Sequence, residues 1–216
     1  LTQMGELAAS QLCDAVAAVA DHDEALASRT VQRDVELDTL ERVIAEDAVT
    51  LLALRQPMAG DLRSVVAAIK IAPDIEKIGD LAKGIAKRSH VGRSFPALGG
   101  AASLRSMADL VVRQIEGAIQ AFAIGDAEAA IRIWSRDAQV DDWHSSIFRE
   151  LLTYMMEDPR TIGVCTQLMF MAKNLERVGD HCTHIADTTY FLVRGERLSS
   201  RRPKGEDVAT LTLQEA

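Results

Sequence analysis

Residues 74–80 read DIEKIGD and residues 174–180 read NLERVGD, so one pattern of apolar, acid, base, apolar, Gly-Asp occurs twice, 100 residues apart. Working outward, DVELD at 34–38 is echoed by DAQVD at 137–141, a separation of 103 residues. His22-Asp23 and Gly125-Asp126 are separated by the same 103, and Gln56-Pro57 and Asp158-Pro159 by 102. These landmarks keep their order, and the separation drifts only where turn residues occur. A duplicated unit of about 100 residues explains this, since self-similarity at a fixed period marks a repeated supersecondary unit.

Turn signals divide each copy into three segments. They fall at Asp21-His22-Asp23-Glu24, Gln56-Pro57, Gly125-Asp126 and Glu157-Asp158-Pro159, with the longest run at Ser89 to Gly100. Between them apolar residues recur at three and four, as in the stripe Leu37, Leu40, Ile44, Ala48 and Leu51. This spacing predicts six helices over about 1–20, 24–54, 58–88, 102–124, 126–156 and 160–192. A long helix pair needs a third helix to cover its stripes. The expected fold is all-α: two tandem three-helix bundles, residues 1–90 and 102–195, joined end to end by a linker at 91–101 and followed by a polar tail at 196–216. Four-helix packing with two extra helices is the alternative topology.

Composition narrows the function classes. The chain has 216 residues, 48% of them hydrophobic and only 4% aromatic, which suits packed helices better than strands. A net charge of −8 without a basic domain argues against nucleic-acid binding, where phosphate contacts dominate affinity. Basic clusters at Lys83, Lys87 and Arg88 and at Arg201, Arg202 and Lys204 read as solvated surface. Cys13, Cys165 and Cys182 are odd in number and lack CxxC spacing, which fits reduced thiols and a cytoplasmic protein. No stretch approaches ~18 uncharged apolar residues, so no direct membrane insertion is expected.

Chemistry concentrates in acids. Each copy carries two i,i+4 pairs: Asp34/Asp38 and Glu76/Asp80, then Asp137/Asp141 and Glu176/Asp180. Like charges at this spacing cost a helix a few tenths of a kcal/mol, so a fourfold repetition asks for a cause. Glu76/Asp80 and Glu176/Asp180 fall away from the stripes Ile71, Ile75, Ile78, Ile85 and Met171, Leu175, Val178, Ile185, which predicts surface carboxylates. The two pairs of a copy are placed to meet in a groove between its second and third helices. Close carboxylates there repel by up to ~4 kcal/mol per pair at an effective dielectric near 20. A hard cation on oxygen ligands relieves that repulsion. Solvated acids balanced by Lys77, Lys83, Arg136 and Arg177 are the competing explanation. Gly79 and Gly179, just before the second acid of each pair, mark a close approach by a ligand or by a neighbouring helix. His184 lies four residues after Asp180, so the second site is expected to be richer in ligands.

LLALRQPMAGDLRSVVAAIKIAPDIEKIGDLAKGIAKR (51–88) and LLTYMMEDPRTIGVCTQLMFMAKNLERVGDHCTHIAD (151–187) resemble the two halves of a PhoU-family protein. The resemblance runs over about 190 residues, from Met4-Gly5 to Gly195. It implies two tandem three-helix bundles and a cytoplasmic, often dimeric, regulator. Such a protein acts with the ATPase of the phosphate-specific ABC transporter and with the phosphate sensor histidine kinase. It holds the phosphate-starvation response off when phosphate is ample. The family's E(D)xxxD metal motif maps onto Asp34/Asp38, Glu76/Asp80, Asp137/Asp141 and Glu176/Asp180, with His184 beside the last pair. Iron or zinc, or manganese or magnesium from the donor chemistry, are the expected ions, with no organic cofactor. Gly84 and His184 stand where the family usually has Asn, and Lys77 where it usually has Arg. The resemblance also places the start of the first helix before Leu1.

Two other functions compete with this one. A di-iron carboxylate enzyme needs inward-facing Glu residues and two Glu-x-x-His motifs, and the sequence has none. No Gly-rich phosphate loop and no nucleophile motif is present, so no catalytic residue is assigned. A metal-free helical scaffold shares the fold and differs only at the carboxylates.

Overall fold

The computed structural model describes residues 1–89 and 100–198. Residues 90–99, which include most of the linker expected at 91–101, and the tail beyond 198 lie outside the described residues. Among these residues the chain forms six α-helices and no strand: α1 (Thr2–Ala20), α2 (Glu24–Arg55), α3 (Ala59–Ala86), α4 (Gly100–Ile124), α5 (Ala127–Glu157) and α6 (Ile162–Arg194). A short 3-10 turn, Pro159–Thr161, precedes α6. None of these helices is long and apolar enough to cross a membrane.

The first turn of each copy is built the same way. Asp23 caps α2 by accepting from Leu26 N at 2.8 Å, and Asp126 caps α5 by accepting from Ala129 N at 2.9 Å. The residue before each cap is left-handed, His22 at φ 59 and Gly125 at φ 69. The amides of Asp23 and Asp126 reach back to Ala18 O and Ala121 O, closing the preceding helix with a Schellman-type bond. Glycine takes this geometry without a Cβ penalty, whereas His22 bears one.

The packing departs from an end-to-end arrangement. α1, α2 and α3 pack on one another, as do α4, α5 and α6, but α1 also packs on α4 and α3 on α6. The two bundles therefore lie side by side around one continuous apolar core, with α2 and α5 on the outside. Sequence pattern supplies the reason. α3 buries Ile71, Ile75, Ile78 and Ile85 and also Ala72, Ala82 and Ala86, too wide an apolar face for one neighbouring pair. α6 does the same with Met171, Leu175, Val178 and Ile185 beside Ala172, Cys182 and Ala186. The small residues let α3 and α6 approach each other. Outer helix α2 buries only Ala27, Thr30, Asp34, Leu37 and Ala48. Its predicted stripe ends there: Leu40 and Ile44 are half-buried and Leu51 is exposed. α2 runs for 32 residues against 19 in α1, so its last turns extend past the span over which Thr2–Ala20 covers it.

Candidate metal-binding carboxylate sites

The four acids of each copy are brought to one groove. In the first copy Asp34 sits on the inner face of α2, 3% exposed, under Gly79 of α3. Lys83 donates to Asp34 Oδ2 and lies 3.9 Å from Asp80 Oδ1. Lys77 lies 3.0 Å from Glu76 Oε2 and 2.9 Å from Asp80 Oδ2. Hydrogen bonding to Asp34 and the charges of Asp34, Asp80 and Asp38 hold the Lys83 ammonium above its ordinary pKa against partial desolvation. Burial pushes the Glu76 carboxyl up despite the Lys77 hydrogen bond. Asp80 is lowered: burial raises it, but the hydrogen bond and charge of Lys77, with the charge of Lys83, outweigh that.

The second copy carries the same acids. Asp137 is 1% exposed beneath Gly179, as Asp34 is beneath Gly79. Glu176 accepts from Lys173 Nζ at 2.7 Å. Burial foremost, with the charges of Asp180 and Asp141, still holds its carboxyl above the ordinary value. Where the first copy has Lys83, the second has Thr183, which is buried and donates to Asp180 O at 2.7 Å. The charges of Asp141 and Asp180 thus reach Glu176, which Lys173 opposes.

Glu76 and Glu176 are not the surface carboxylates expected, since their side chains are only 18% and 15% exposed, and Asp34 and Asp137 are buried. The cause is register, since Asp34 shares its helix face with Ala27, Thr30 and Leu37, and Asp137 with Ala130, Ile133 and Val140. The helical glycines accommodate a neighbouring helix. A Cβ at Gly79 would overlap the Leu37 Cδ1 methyl of α2, and one at Gly179 would lie 3.0 Å from Asp137 Oδ1 of α5.

A glutamine pair escaped sequence reading. Gln11 of α1 and Gln114 of α4 are 1% and 4% exposed, and neither side-chain amide has a hydrogen-bond partner among the described residues. Each points its Oε1 at the glycine of its copy, 3.2 Å from a Cβ on Gly79 and 3.5 Å from one on Gly179. The separation of 103 residues that relates Asp34 to Asp137 also relates Gln11 to Gln114, and that signal would have found them. Converging acids with an orphaned amide oxygen behind them suit a hard cation. In the first copy Lys77 and Lys83 compete with a cation for these oxygens.

His184 joins a different group. Asp74 Oδ1 of α3 lies 2.8 Å from His181 Nδ1 and 3.5 Å from His184 Nδ1 of α6. Among the described residues, these three are the set whose ligand atoms converge within 4.8 Å. Burial raises the Asp74 carboxyl, but hydrogen bonds and charge from His181 and His184 pull it below its ordinary value. Asp187, on the same helix as His184, instead accepts from Leu198 N at 3.1 Å.

Comparison with known proteins gives one answer. The family described as PhoU domain matches residues 1–89 and again 104–189. The phosphate-specific transport system accessory protein PhoU homolog of Caulobacter vibrioides is 48% identical over 205 residues, covering 94% of this chain and 89% of that protein. The homolog of Rhizobium meliloti is 43% identical over 98% of this chain and 90% of its own. Among solved structures, PhoU from Pseudomonas aeruginosa superposes with a TM-score of 0.86 at 37% identity, over 90% of this chain and 93% of that one. The phosphate transport system regulatory protein PhoU from Streptococcus pneumoniae gives 0.82 at 26% identity, over 92% and 94%. These relatives are named as accessory or regulatory proteins and not as enzymes. Two copies of the domain, with relatives this similar along nearly the whole length, place the chain in the PhoU family.

Proposed function

We propose that this chain is an accessory regulator of phosphate uptake that restrains phosphate-starvation signalling by protein contact. Its partners are the ATPase of the phosphate-specific ABC transporter and the phosphate sensor histidine kinase, and it acts in the cytoplasm as a homodimer. Residues 1–90 and 102–195 are its two repeat units. The observation that carries this reading is near-full-length likeness to phosphate transport accessory proteins, on a fold whose duplicated acid pairs both survive. Metal is held by Asp34, Asp38, Glu76 and Asp80 and by Asp137, Asp141, Glu176 and Asp180. A bound cation would supply charge neutralisation there and stiffen the α2–α3 and α5–α6 grooves. Affinity-tagged protein is recovered from its own cells under high and low phosphate, and its partners are identified by mass spectrometry. Recovery of the transporter ATPase or the sensor kinase is the expected result, and recovery of neither in both conditions refutes the reading.

A metal-free scaffold is favoured by one observation: Lys77 and Lys83 already oppose the acids of the first copy. Metal content after dialysis against Fe²⁺, Zn²⁺, Mn²⁺ and Mg²⁺ separates the two readings. A chain that retains none yet binds its partners is the scaffold.

A further inference from the structure

α3 and α6 cross antiparallel at the seam between the two copies, and the seam is chemically lopsided. At one end Asp74 faces His181 and His184. Moving each residue by the 100-residue repeat gives the other end, where Asn174 faces Leu81 and Gly84. There the Asn174 amide donates to Leu81 O at 3.4 Å, and a Cβ on Gly84 would come within 2.9 Å of Asn174 Nδ2. One seam end thus packs with an amide, a leucine and a glycine. Helix packing does not require two imidazoles and a carboxylate at the other.

We propose that Asp74, His181 and His184 form a binding site for one divalent transition-metal ion of the zinc class, bridging α3 of the first copy to α6 of the second. Ligand atoms about 2.0–2.2 Å from a tetrahedral ion lie roughly 3.3–3.5 Å apart. The observed 2.8 and 3.5 Å from Asp74 Oδ1 to the two Nδ1 atoms bracket that spacing. All three ligand atoms fall within 4.8 Å, and the rings stand edge to face with centroids 5.9 Å apart. His181 and His184 are three residues apart on one helix, so both turn to the same side of α6. His181 and Asp74 are mostly covered, at 18% and 19% exposed, while His184 is 63% exposed. The ion is therefore reached from solvent on the His184 side, where a fourth position stays open to water or an anionic ligand. Imidazole donors select zinc, cobalt, nickel, copper or ferrous ions over magnesium and calcium. The site shares no ligand with the carboxylate grooves, and it does not depend on their holding metal.

Cobalt(II), whose visible absorption reports four-coordinate nitrogen and oxygen ligation, is titrated into the full chain after chelator treatment. The parent should develop that absorption at one equivalent per chain, lose it to Zn²⁺ and keep it in excess Mg²⁺. Zn²⁺ should also raise its melting temperature, because the ion ties the two copies together. Asp74→Asn and His184→Asn should each weaken cobalt binding at least tenfold and abolish the zinc-dependent shift; His184 is exposed, so its change leaves folding intact. A Glu76→Gln/Glu176→Gln chain should keep the spectrum. No cobalt binding by the parent up to millimolar, full affinity in His184→Asn, or loss of the spectrum only in the Glu76→Gln/Glu176→Gln chain would each overturn the site.

Discussion

Gly79→Ala should destabilise the protein although it removes a glycine from the interior of a helix. Alanine in place of glycine there gains about 1 kcal/mol in helix propensity. The new methyl would overlap the Leu37 Cδ1 methyl, with Gln11 Oε1 at 3.2 Å and Asp34 Oδ1 at 3.4 Å behind it. Leu37 is fully buried, so its side chain has little room to turn away. Overpacking of this kind costs typically 1–3 kcal/mol, which leaves a net loss of up to about 2 kcal/mol. Gly117→Ala in α4 is the internal control. Its Cβ would meet Ile133 Cδ1 at 3.4 Å and Cγ1 at 3.7 Å, ordinary contacts, so it should gain about 0.5–1 kcal/mol. For a chain of this size the two variants should melt up to roughly 12 °C apart, with Gly117→Ala the higher. Urea unfolding followed by circular dichroism measures both. Leu37→Ala should cost at least 1 kcal/mol less in the Gly79→Ala background than in the parent, because it removes the overlap. A Gly79→Ala chain as stable as Gly117→Ala, or no coupling with Leu37→Ala, would refute the claim that α2 sets the glycine.

Three further outcomes follow from particular residues. The Glu176 carboxyl is raised in the folded state, chiefly by burial, so its contribution to stability is greatest below the ordinary glutamate range and is lost as pH rises through the folded value. Glu176→Gln in chelator should thus stabilise the protein at pH 7 and leave it unchanged near pH 4; an equal effect at both pH values, read from urea melts, counts against this. With Ellman's reagent, the native protein should expose only Cys13 of its three cysteines, and slowly, since burial and nearby acids raise that thiol. Cys165 and Cys182 should react only after unfolding, and earlier reaction of either contradicts their burial. His22→Gly should be neutral or stabilising by up to about 1 kcal/mol, while Gly125→Ala should cost about 1 kcal/mol, because both positions are left-handed. Calorimetry that ranks them the other way sinks the equivalence of the two turns.

Much of the site was legible before the fold. Even the burial of Asp34 could be read from Ala27, Thr30 and Leu37 at helical spacing around it. The Gln11 and Gln114 amides needed the repeat separation applied to α1 and α4, whose acids and motifs drew no attention to them. Side-by-side packing was harder to see. A wide apolar face such as that of α3 says that a helix is covered on several sides, and not which helix covers it.

Periodicity and turn chemistry are local, so the sequence by itself determined the six helices, their duplication, the capped turns at Asp23 and Asp126 and the eight paired acids. It also carried the family, because DIEKIGD and NLERVGD recur in register with everything around them. Tertiary structure alone decided the pairing of α3 with α6, and with it the meeting of Asp74 and His181 across 107 residues of chain. It also decided that Lys83 pairs with Asp34, whereas Thr183 at the matching position donates to Asp180 O. Contacts between distant segments depend on how whole helix faces fit together, and no spacing within one helix encodes that fit.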